Sequence, residues 1–425
     1  MEIEELYTLY KKSYKVTTDT RSQLNNSIFF ALKGDNFNGN LYAKEALTKG
    51  ANFAVIDEEQ DELEDKLILV KDVLQTLQNL ATYHRQCLDI PIIALTGSNG
   101  KTTTKELINA VLKQKFNCKS TAGNLNNHIG VPLTILSMEP ETEIGVVEMG
   151  ANHKKEIAEL CKIALPDFGY ITNFGKVHLE GFGSLKGVIE AKTEMYSYLR
   201  KENKMVFINT EDKIQVERSK GMNIISFCSK NSDYPVEFIE ADPYVNVAFE
   251  NMILQSKLIG KYNYLNIATA IAAGKYFGVS NTQIKEAIEE YVPSNNRSQI
   301  ITKGSNEIIL DAYNANPESM KVAIENLSQI SAENKVAILG DMYEVGKSSQ
   351  EEHQKIVEML RSSDIQTTYL IGDQFSEILV NDENIIQYKN IKDFRVNMER
   401  SKLRKAMILI KASRGMALER VLEFI

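Results

Sequence analysis

The sequence predicts an α/β protein of three domains. Apolar, strand-like segments alternate with amphipathic helical segments along most of its 425 residues, a pattern typical of parallel sheets covered by helices. At roughly 150 residues per domain, this length suggests about three domains, each with its own core. The alternation also restarts after a linker-like segment at 292–299, which indicates a separate C-terminal unit.

Residues 1–88 form the predicted N-terminal domain, of mixed α/β type. Strands are predicted at 27–34, 51–57 and 67–71, with a helix between the first two. A second helix is predicted over 72–88, where apolar residues recur at helical spacing. Pro91 follows and favours a domain boundary near residue 89.

The central domain is predicted to span residues 89–295. It opens with the apolar run IIALTG at 92–97, typical of a strand buried on both faces of a parallel sheet. An amphipathic helix follows directly. The remaining predicted elements of this domain are strands at 144–149, 168–172 and 205–209, helices near 154–164 and 184–200, and a small-residue helix at 266–278.

The C-terminal domain is predicted to span residues 296–425. Four apolar segments, EIILDAY, KVAILG, TTYLIG and AMILIK, read as strands. Helices are predicted between them at 317–329 and 349–362, and a final helix from Arg414. This alternation predicts a second parallel α/β sheet.

Composition argues against several classes of function. The chain carries 57 acidic and 49 basic residues, a net charge of −8, so we expect no nucleic acid partner. No apolar run reaches the roughly 18 residues of a membrane span, and the first residues lack signal-peptide features, so we expect a cytoplasmic protein without membrane insertion. The cysteines are far apart in sequence, which favours free buried thiols: Cys87, Cys118, Cys161 and Cys228.

The strongest motif is a phosphate-binding loop between the strand at 92–97 and the helix after it. Its glycines let backbone N–H groups surround an anion, and the helix N-terminus adds partial positive charge. Lys101 can reach the outer phosphates of a nucleotide, and the Thr102 hydroxyl can bind Mg²⁺. The ordinary Walker A spacing would place glycine where Leu95 stands, so the loop is a variant. The predicted ATP-binding residues here are Gly97, Ser98, Asn99, Gly100, Lys101, Thr102 and Thr103.

An acidic residue at a neighbouring strand end would complete a metal site. Glu148 ends the apolar run at 144–149, with His153 shortly after it. Ligands gather at the carboxyl ends of strands in α/β sheets, which favours Glu148 near Mg²⁺. A solvated glutamate at a strand terminus remains the alternative from spacing alone. The guanine-specific N-K-x-D motif is absent after the later strands, which weighs against a GTPase.

Several motifs occur in the same order as in a known family. They are TGSNGKTTT, TAGNLNNHIGVP at 121–132, VEMGANHKKEI, the segment 171–195 and LDAYNANPESM at 310–320, with Asp19-Thr20-Arg21 and FFALKG in the first block. Together they resemble the Mur ligases over essentially the whole chain. Within that family they are most similar to members that add D-alanyl-D-alanine to UDP-N-acetylmuramoyl-tripeptide.

The resemblance implies three domains and one reaction. The N-terminal domain would hold the UDP end of the substrate, the central domain would bind ATP, and the C-terminal domain would be Rossmann-like. The tripeptide carboxylate would attack the γ-phosphate of ATP to give an acyl phosphate, which the amine of the dipeptide then displaces. ATP and Mg²⁺ would be the cofactors, and we expect a monomer.

The resemblance also assigns roles to individual residues. Lys101, Glu148, His178 and Lys192 would be catalytic, with Asn173 nearby. Thr102, Glu148, His178 and Lys192, the last as a carbamate formed with carbon dioxide, would surround the metal. Asn263, Arg297 and Asp311 would add to the ATP site. Thr20, Arg21, Asn124, Asn126, Asn127, Tyr313, Asn314 and Asn316 would bind the other substrates, while the element at 411–414 would lie near them.

Three positions depart from the family pattern. Tyr262 replaces a histidine and can still stack on adenine, but a role that needs an imidazole is in doubt. Asn296 replaces a glycine and tolerates the left-handed region better than most residues. Ala412 replaces a glycine, so a close backbone approach there is less assured.

Other functions remain compatible with a phosphate-binding loop. A folylpolyglutamate-synthase-like ligase shares the chemistry, but the complete N-terminal domain at 1–88 and the GNLNNHIGVP motif argue against it. A small-molecule kinase and a non-catalytic nucleotide-binding scaffold are further alternatives. Only a ligase should release phosphate in a manner that depends on both a carboxylate and an amine. The sequence leaves open whether the third residue of the tripeptide is L-lysine or meso-diaminopimelate.

Overall fold

The computed structural model describes residues 1–60, 65–294 and 296–425. Its N-terminal part holds a four-stranded parallel sheet of order β1-β2-β5-β6 and a small antiparallel hairpin, β3-β4. The elements are α1 (Ile3–Tyr10), β1 (Val16–Thr17), β2 (Ile28–Phe30), β3 (Lys33–Gly34), β4 (Phe37–Asn38), α2 (Ala43–Thr48), β5 (Phe53–Ile56), β6 (Leu67–Leu69) and α3 (Val73–Leu88), with a 3₁₀ turn at Gly39–Tyr42.

The central part is built on a nine-stranded sheet of order β15-β14-β13-β12-β11-β10-β7-β9-β8. The strands are β7 (Ile92–Thr96), β8 (Cys118–Ser120), β9 (Ile144–Glu148), β10 (Phe168–Ile171), β11 (Met205–Asn209), β12 (Asn223–Cys228), β13 (Tyr234–Ala241), β14 (Tyr244–Phe249) and β15 (Met252–Ile259). The helices are α4 (Lys101–Leu112), α5 (Gly130–Leu136), α6 (Glu156–Ala164), α7 (Leu179–Phe182), α8 (Leu185–Lys192), α9 (Glu194–Lys201), α10 (Lys213–Arg218), α11 (Asn263–Tyr276) and α12 (Asn281–Glu290).

Strand order places the carboxyl ends of three strands side by side. β7 lies between β9 and β10, and all three run parallel. The loops that follow these strands therefore converge at one edge of the sheet, where ligands of α/β sheets bind. Beyond β13 the sheet continues with antiparallel pairs to β14 and β15, an extension that the sequence pattern did not predict.

The C-terminal part contains a six-stranded sheet of order β16-β17-β21-β18-β19-β20, parallel except for the β16-β17 pair. Its strands are β16 (Gln299–Lys303), β17 (Asn306–Leu310), β18 (Lys335–Gly340), β19 (Thr367–Ile371), β20 (Ile385–Tyr388) and β21 (Met407–Lys411). Its helices are α13 (Pro317–Gln329), α14 (Ser349–Arg361), α15 (Asp373–Ser376) and α16 (Ile391–Asn397), with 3₁₀ turns at Gly346–Ser348, Arg400–Leu403, Arg414–Met416 and Leu418–Glu423.

The predicted final α-helix from Arg414 is wrong. Two 3₁₀ turns stand there instead, separated by Ala417, whose φ of 48° lies in the left-handed region. A non-glycine residue in that conformation cannot continue a right-handed helix. Leu418 and Val421 are nevertheless buried, so the apolar spacing that suggested a helix reflects packing of these turns on the sheet.

The N-terminal helices share a core with the central domain. α3 begins at Asp72, whose carboxylate accepts a hydrogen bond from the Gln75 amide, and packs against α5 and α6. The Tyr10 hydroxyl donates to the Leu136 carbonyl at 2.7 Å. These contacts hold the N-terminal domain against the sheet that carries the phosphate-binding loop.

The sequence also led to predictions about the cysteines and about membrane-spanning helices. All four cysteines are free, but Cys87 is exposed while the other three are buried, so the prediction of four buried thiols is wrong for Cys87. It lies in the last turn of α3 beside the likewise exposed Gln86. Among the described residues, no helix is both long and apolar enough to cross a membrane.

Candidate active site

The phosphate-binding loop joins β7 to α4 and depends on its two glycines. Gly97 has φ of 150°, and a Cβ there would lie 1.8 Å from the Thr172 Oγ1. Gly100 has φ of 80° and is the N-cap residue of α4. Left-handed backbone and close approach both require glycine at these positions. The Ser98 and Asn99 amides donate to Asn173, so the N–H groups that an anion could use are those at the α4 N-terminus, which opens directly after Gly100.

The segment after β10 holds this loop in shape. The Asn99 amide donates to the Asn173 Oδ1 at 2.9 Å, and the Asn173 Nδ2 and the Thr172 hydroxyl donate to the Asn99 carbonyl. The Ser98 hydroxyl donates to the Gly175 carbonyl. Asn173, expected near the reacting centre, thus acts here as a clamp on the loop.

Two lysines converge on the first glycine. The Lys101 and Lys192 ammonium groups donate to the Gly97 carbonyl at 2.8 and 3.0 Å. Within the described part of the chain, neither ammonium has a carboxylate within ion-pair distance. Desolvation lowers the pKa of Lys101, and it lowers the pKa of Lys192 well below its ordinary value, with the Lys101 charge adding to the effect. Glu148 offsets part of the Lys101 charge, and the site still holds more basic than acidic groups, an excess that a bound anion would balance.

A carboxylate and a hydroxyl meet beside these lysines. Glu148, at the end of β9, accepts a hydrogen bond from the Thr102 hydroxyl at 2.9 Å and one from the Asn126 Nδ2 at 2.8 Å. The solvated glutamate that spacing alone left open is excluded, because Glu148 is 1% exposed. Oxygen donors of this kind suit Mg²⁺, which needs few protein ligands when substrate phosphates supply others. No cluster of three or more His, Cys, Asp or Glu side chains that could hold a metal ion occurs among the described residues.

Lys105 is a buried cation that the motif reading missed. Its ammonium donates to the Thr121 carbonyl at 2.7 Å, and the Thr121 hydroxyl accepts from the Glu148 amide. Desolvation lowers the pKa of Lys105, while Glu148 and then Glu106 oppose the shift. Lys105 follows Lys101 by one helical turn on α4, which is the signal that would have placed it near the loop.

On the C-terminal side, Arg297 and Tyr313 form a stacked pair. The guanidinium carbon lies 3.6 Å from the ring centroid, and the buried Arg297 Nε has no hydrogen-bond partner among the described residues. Asp311, which ends β17, accepts from the Lys411 ammonium at 2.6 Å and from the Ser298 amide at 3.1 Å. An unpaired buried donor beside the phosphate-binding loop is what a bound anion would satisfy.

Direct contacts join the central and C-terminal domains at the phosphate-binding loop. Asn316 is the N-cap of α13, and its Nδ2 also donates to the Asn99 Oδ1 at 2.9 Å. The Asn99 Nδ2 donates in turn to Glu318, another residue that the sequence reading missed. Desolvation raises the pKa of this carboxyl group. His178 also reaches across, since its Nδ1 lies 2.8 Å from the Glu344 Oε2, and this bond holds the pKa of Glu344 below its ordinary value.

Some predicted site residues have structural tasks instead of, or besides, a binding role. The Asn127 Oδ1 accepts from the Ile129 and Gly130 amides at the start of α5. The Asn263 Nδ2 donates to the Ile259 carbonyl, and its Oδ1 accepts from Asn266. Such bonds are typical of Asn near helix N-termini. Both residues still line the cleft described next.

A cleft of about 1430 Å³ contains most of the predicted site. This exceeds the roughly 300–1,000 Å³ of an ordinary ligand pocket, so it has room for more than one substrate. All three parts of the chain line it. The predicted site residues on its wall are Gly97, Ser98, Asn99, Gly100, Lys101, Thr102, Thr103, Asn124, Asn126, Asn127, Glu148, His178, Lys192, Asn263, Arg297, Asp311, Tyr313, Asn314 and Asn316.

Thr20 and Arg21 lie apart from this cleft, on the N-terminal domain. The Arg21 guanidinium pairs with Asp19 at 2.8 Å and is highly exposed, and the bond lowers the pKa of Asp19 to about 2. The Thr20 carbonyl accepts from the Lys49 ammonium. These residues would therefore contact a substrate only at an end remote from the phosphate-binding loop.

The fold and this site together define a class of protein, an ATP-dependent ligase with a phosphate-binding loop facing a second α/β domain. Comparisons with known proteins agree. The Mur ligase middle domain matches residues 95–274, and the Mur ligase, glutamate ligase domain matches residues 296–414. The UDP-N-acetylmuramoyl-tripeptide--D-alanyl-D-alanine ligase of Bacillus subtilis (strain 168) is 34% identical over 96% of this chain and 92% of its own.

Solved structures give the same answer. MurF from Acinetobacter baumannii superposes with a TM-score of 0.87 at 29% identity, over 96% of this chain and 92% of that one. The MurF ligase of Thermotoga maritima, in complex with ADP, gives 0.83 at 28% identity, over 97% of each chain. The chain belongs to the Mur ligase family. The expected α/β class with its three-domain architecture is thereby confirmed.

Proposed function

We propose that this enzyme joins D-alanyl-D-alanine to UDP-N-acetylmuramoyl-tripeptide in peptidoglycan precursor synthesis, with release of ADP and phosphate. Similarity to relatives of that name over nearly the full chain supports the choice of substrates. The observation that carries the chemistry is the group of cations around Gly97. Lys101, Lys192 and Arg297 line the cleft beside the phosphate-binding loop, and none of them forms an ion pair with a carboxylate of the described residues.

In the first step, the tripeptide carboxylate attacks the γ-phosphorus of ATP, a P–O bond forms, and the bond to ADP breaks. Both reactants are anions, so cations must offset their repulsion and the charge that spreads over the phosphoryl oxygens. The ammonium of Lys101 and the backbone N–H groups of the loop bind the phosphates. The stacked Arg297 is held close enough to the loop to contribute from the C-terminal domain.

Glu148 and Thr102 would hold Mg²⁺, since their oxygens already lie together and are buried. Bound there, the ion would supply Lewis-acid polarisation of the phosphate oxygens. Lys192, as a carbamate, and His178 would complete the metal environment, as the resemblance implies. The burial that depresses the pKa of Lys192 favours the neutral amine that reacts with carbon dioxide.

In the second step, the dipeptide amine attacks the acyl phosphate carbon, a C–N bond forms, the nitrogen gives up a proton to solvent, and phosphate leaves after collapse of the tetrahedral intermediate. The C-terminal domain would deliver this amine. Tyr313, Asn314 and Asn316 lie on the cleft wall facing the loop, and Asp311 would contact the nucleotide. Asn124, Asn126 and Asn127 would bind the tripeptide part, while Thr20 and Arg21 would bind the UDP end.

Residues of all three domains of a single chain line the cleft, which supports a monomeric enzyme. Nucleotide-linked precursors imply work in the cytoplasm. Partners beyond the two substrates are not required by this scheme.

A phosphate-release assay tests the proposed function. The purified enzyme receives ATP and Mg²⁺ with each of the two UDP-tripeptides, ending in L-lysine or meso-diaminopimelate, with and without D-alanyl-D-alanine. We expect release only when a tripeptide and the dipeptide are both present, together with a product heavier by the dipeptide less water. A stable phosphorylated product without ligation would instead indicate a kinase.

A further inference from the structure

The loop that follows β18 carries a carboxylate into the site from the C-terminal domain. Glu344 lies in this loop, and its Oε2 is 2.8 Å from the His178 Nδ1 on the loop that follows β10. These residues belong to different domains, so the contact exists only while the domains are close. No role has been given to Glu344 so far, whereas His178 lies on the wall of the reaction cleft.

The backbone at both ends of this contact is unusual. His178 has φ of 46° and Glu344 has φ of 63°, a region that non-glycine residues seldom adopt. Gly346 also has a positive φ, and a Cβ there would lie 2.8 Å from the Glu180 Cγ. Two strained residues and a close approach between the same two loops indicate a built contact, because strain of this kind persists where surrounding structure enforces it.

The chemical consequence concerns the two nitrogens of the imidazole. A carboxylate at Nδ1 fixes the ring orientation and keeps a proton on that nitrogen, so the Nε2 is the nitrogen left to act on a ligand. Histidines that bind metals or move protons commonly have their second nitrogen fixed in this way. The half-buried His178 ring also contacts Phe182 edge-on, with centroids 6.4 Å apart.

We propose that Glu344 is a positioning residue that orients His178 when the C-terminal domain closes. His178 then presents its Nε2 to the reaction cleft only in the closed enzyme, after both halves of the site have met. The catalytic part of this proposal, the action of His178 during the reaction, rests on the proposed ligase function. Its structural part, the control of the His178 ring by Glu344, is testable without turnover.

The chain offers suitable variants and a matched control. Glu344→Ala removes the acceptor, and Glu344→Asp keeps the charge with a shorter reach. Glu325→Ala serves as the control, since Glu325 is a half-exposed carboxylate on the same domain that pairs with Lys321 of its own helix. Thermal unfolding of each variant checks that the domain is intact.

The first readout is nitrogen NMR of histidine-labelled enzyme with a non-hydrolysable ATP analogue and UDP-tripeptide. The chain has only five histidines, so His178→Gln identifies the signal. We expect a protonated Nδ1 in wild type and in Glu325→Ala, a proton shifted to Nε2 in Glu344→Ala, and partial recovery in Glu344→Asp. Unchanged His178 signals in Glu344→Ala would overturn the proposal.

The second readout separates positioning from simple latching of the domains. We expect Glu344→Ala to lower kcat roughly 10- to 100-fold, the usual effect of losing such a partner, with KM for ATP little changed. Small-angle scattering should still show ligand-induced closure in this variant. Loss of closure, or a kcat equal to that of Glu325→Ala, would contradict the assignment. A wild-type enzyme that fails to ligate, yet shows the NMR pattern, would instead refute only the proposed function.

Discussion

The ammonium groups of Lys101 and Lys192 share one acceptor, the carbonyl oxygen of Gly97, at 2.8 and 3.0 Å. Lys101 also donates to the Ser98 carbonyl at 3.2 Å, but two neutral oxygens are poor compensation for two desolvated ammonium groups. The arrangement is therefore unfavourable in the free enzyme and becomes favourable when an anion enters or when one lysine loses its positive charge. ATP binding supplies the first change, and carbamate formation on Lys192 would supply the second.

Lys101→Ala should abolish turnover and leave the fold intact. The variant removes the ammonium group that we propose binds the outer phosphates, a loss that commonly costs about 100-fold or more in kcat. Lys113→Ala, at the exposed C-terminal end of the same helix, is the matched control. Circular dichroism and phosphate release are the measurements. More than about a tenth of wild-type activity in Lys101→Ala would exclude the assigned role.

Lys192→Ala should be nearly inactive, and a small carboxylate should partly restore it. Acetate can occupy the vacant anion position beside the metal, whereas chloride at equal ionic strength cannot mimic a carbamate. Lys186→Ala, on the exposed face of the same helix, should remain active. Phosphate release against acetate concentration measures the effect. Full activity of Lys192→Ala without acetate would eliminate the carbamate.

Lys192→Met should stabilise the nucleotide-free enzyme while inactivating it. The folded-state pKa of Lys192 is lowered, so between that pKa and the unfolded value near 10.4 the unfolded chain binds more protons. Stability then rises with pH across this window, and methionine removes that contribution. We expect a Tm higher by about 2–4 °C at pH 7, as for a gain of about 1 kcal/mol, and a smaller gain at pH 9.5. A lower Tm at pH 7 in carbon-dioxide-free buffer would contradict a destabilising ammonium.

The domains should close further, or close more often, when substrates bind. The Asn316–Asn99 bond and the His178–Glu344 pair both cross the cleft, and part of the active site comes from each domain. Small-angle scattering should show a radius of gyration that decreases with ATP analogue and UDP-tripeptide toward about 22 Å, the value for a compact chain of this length. An unchanged radius at saturating ligand would favour a site confined to the central domain.

Local signals predicted much of this molecule. The run 92–97 followed by an amphipathic helix sufficed for the strand, loop and helix around Lys101, because apolar periodicity and the loop glycines are local signals. Glu148 was predictable in the same way, since strand ends meet at one edge of a parallel sheet. The resemblance to the Mur ligases then predicted the order and the roles of the three domains.

Contacts between distant segments were beyond such reasoning. Nothing near His178 in the sequence indicates that Glu344 will face it, because that pairing depends on how two domains meet. The same holds for Asn127. In the sequence, an asparagine that caps a turn cannot be distinguished from one that binds a ligand. The structure shows that the Asn127 side chain accepts hydrogen bonds from the Ile129 and Gly130 backbone amides. Ala417 likewise gave no sign of its left-handed backbone.

The central claim is amide ligation through an acyl phosphate, and oxygen transfer tests it most directly. UDP-tripeptide labelled with ¹⁸O in its reacting carboxylate is incubated with the enzyme, ATP, Mg²⁺ and D-alanyl-D-alanine. Because the carboxylate oxygen becomes the bridging oxygen of the acyl phosphate, it leaves with the phosphorus. Mass spectrometry should find one ¹⁸O in each phosphate released, with one retained in the new amide. Unlabelled phosphate alongside ligated product would contradict the account.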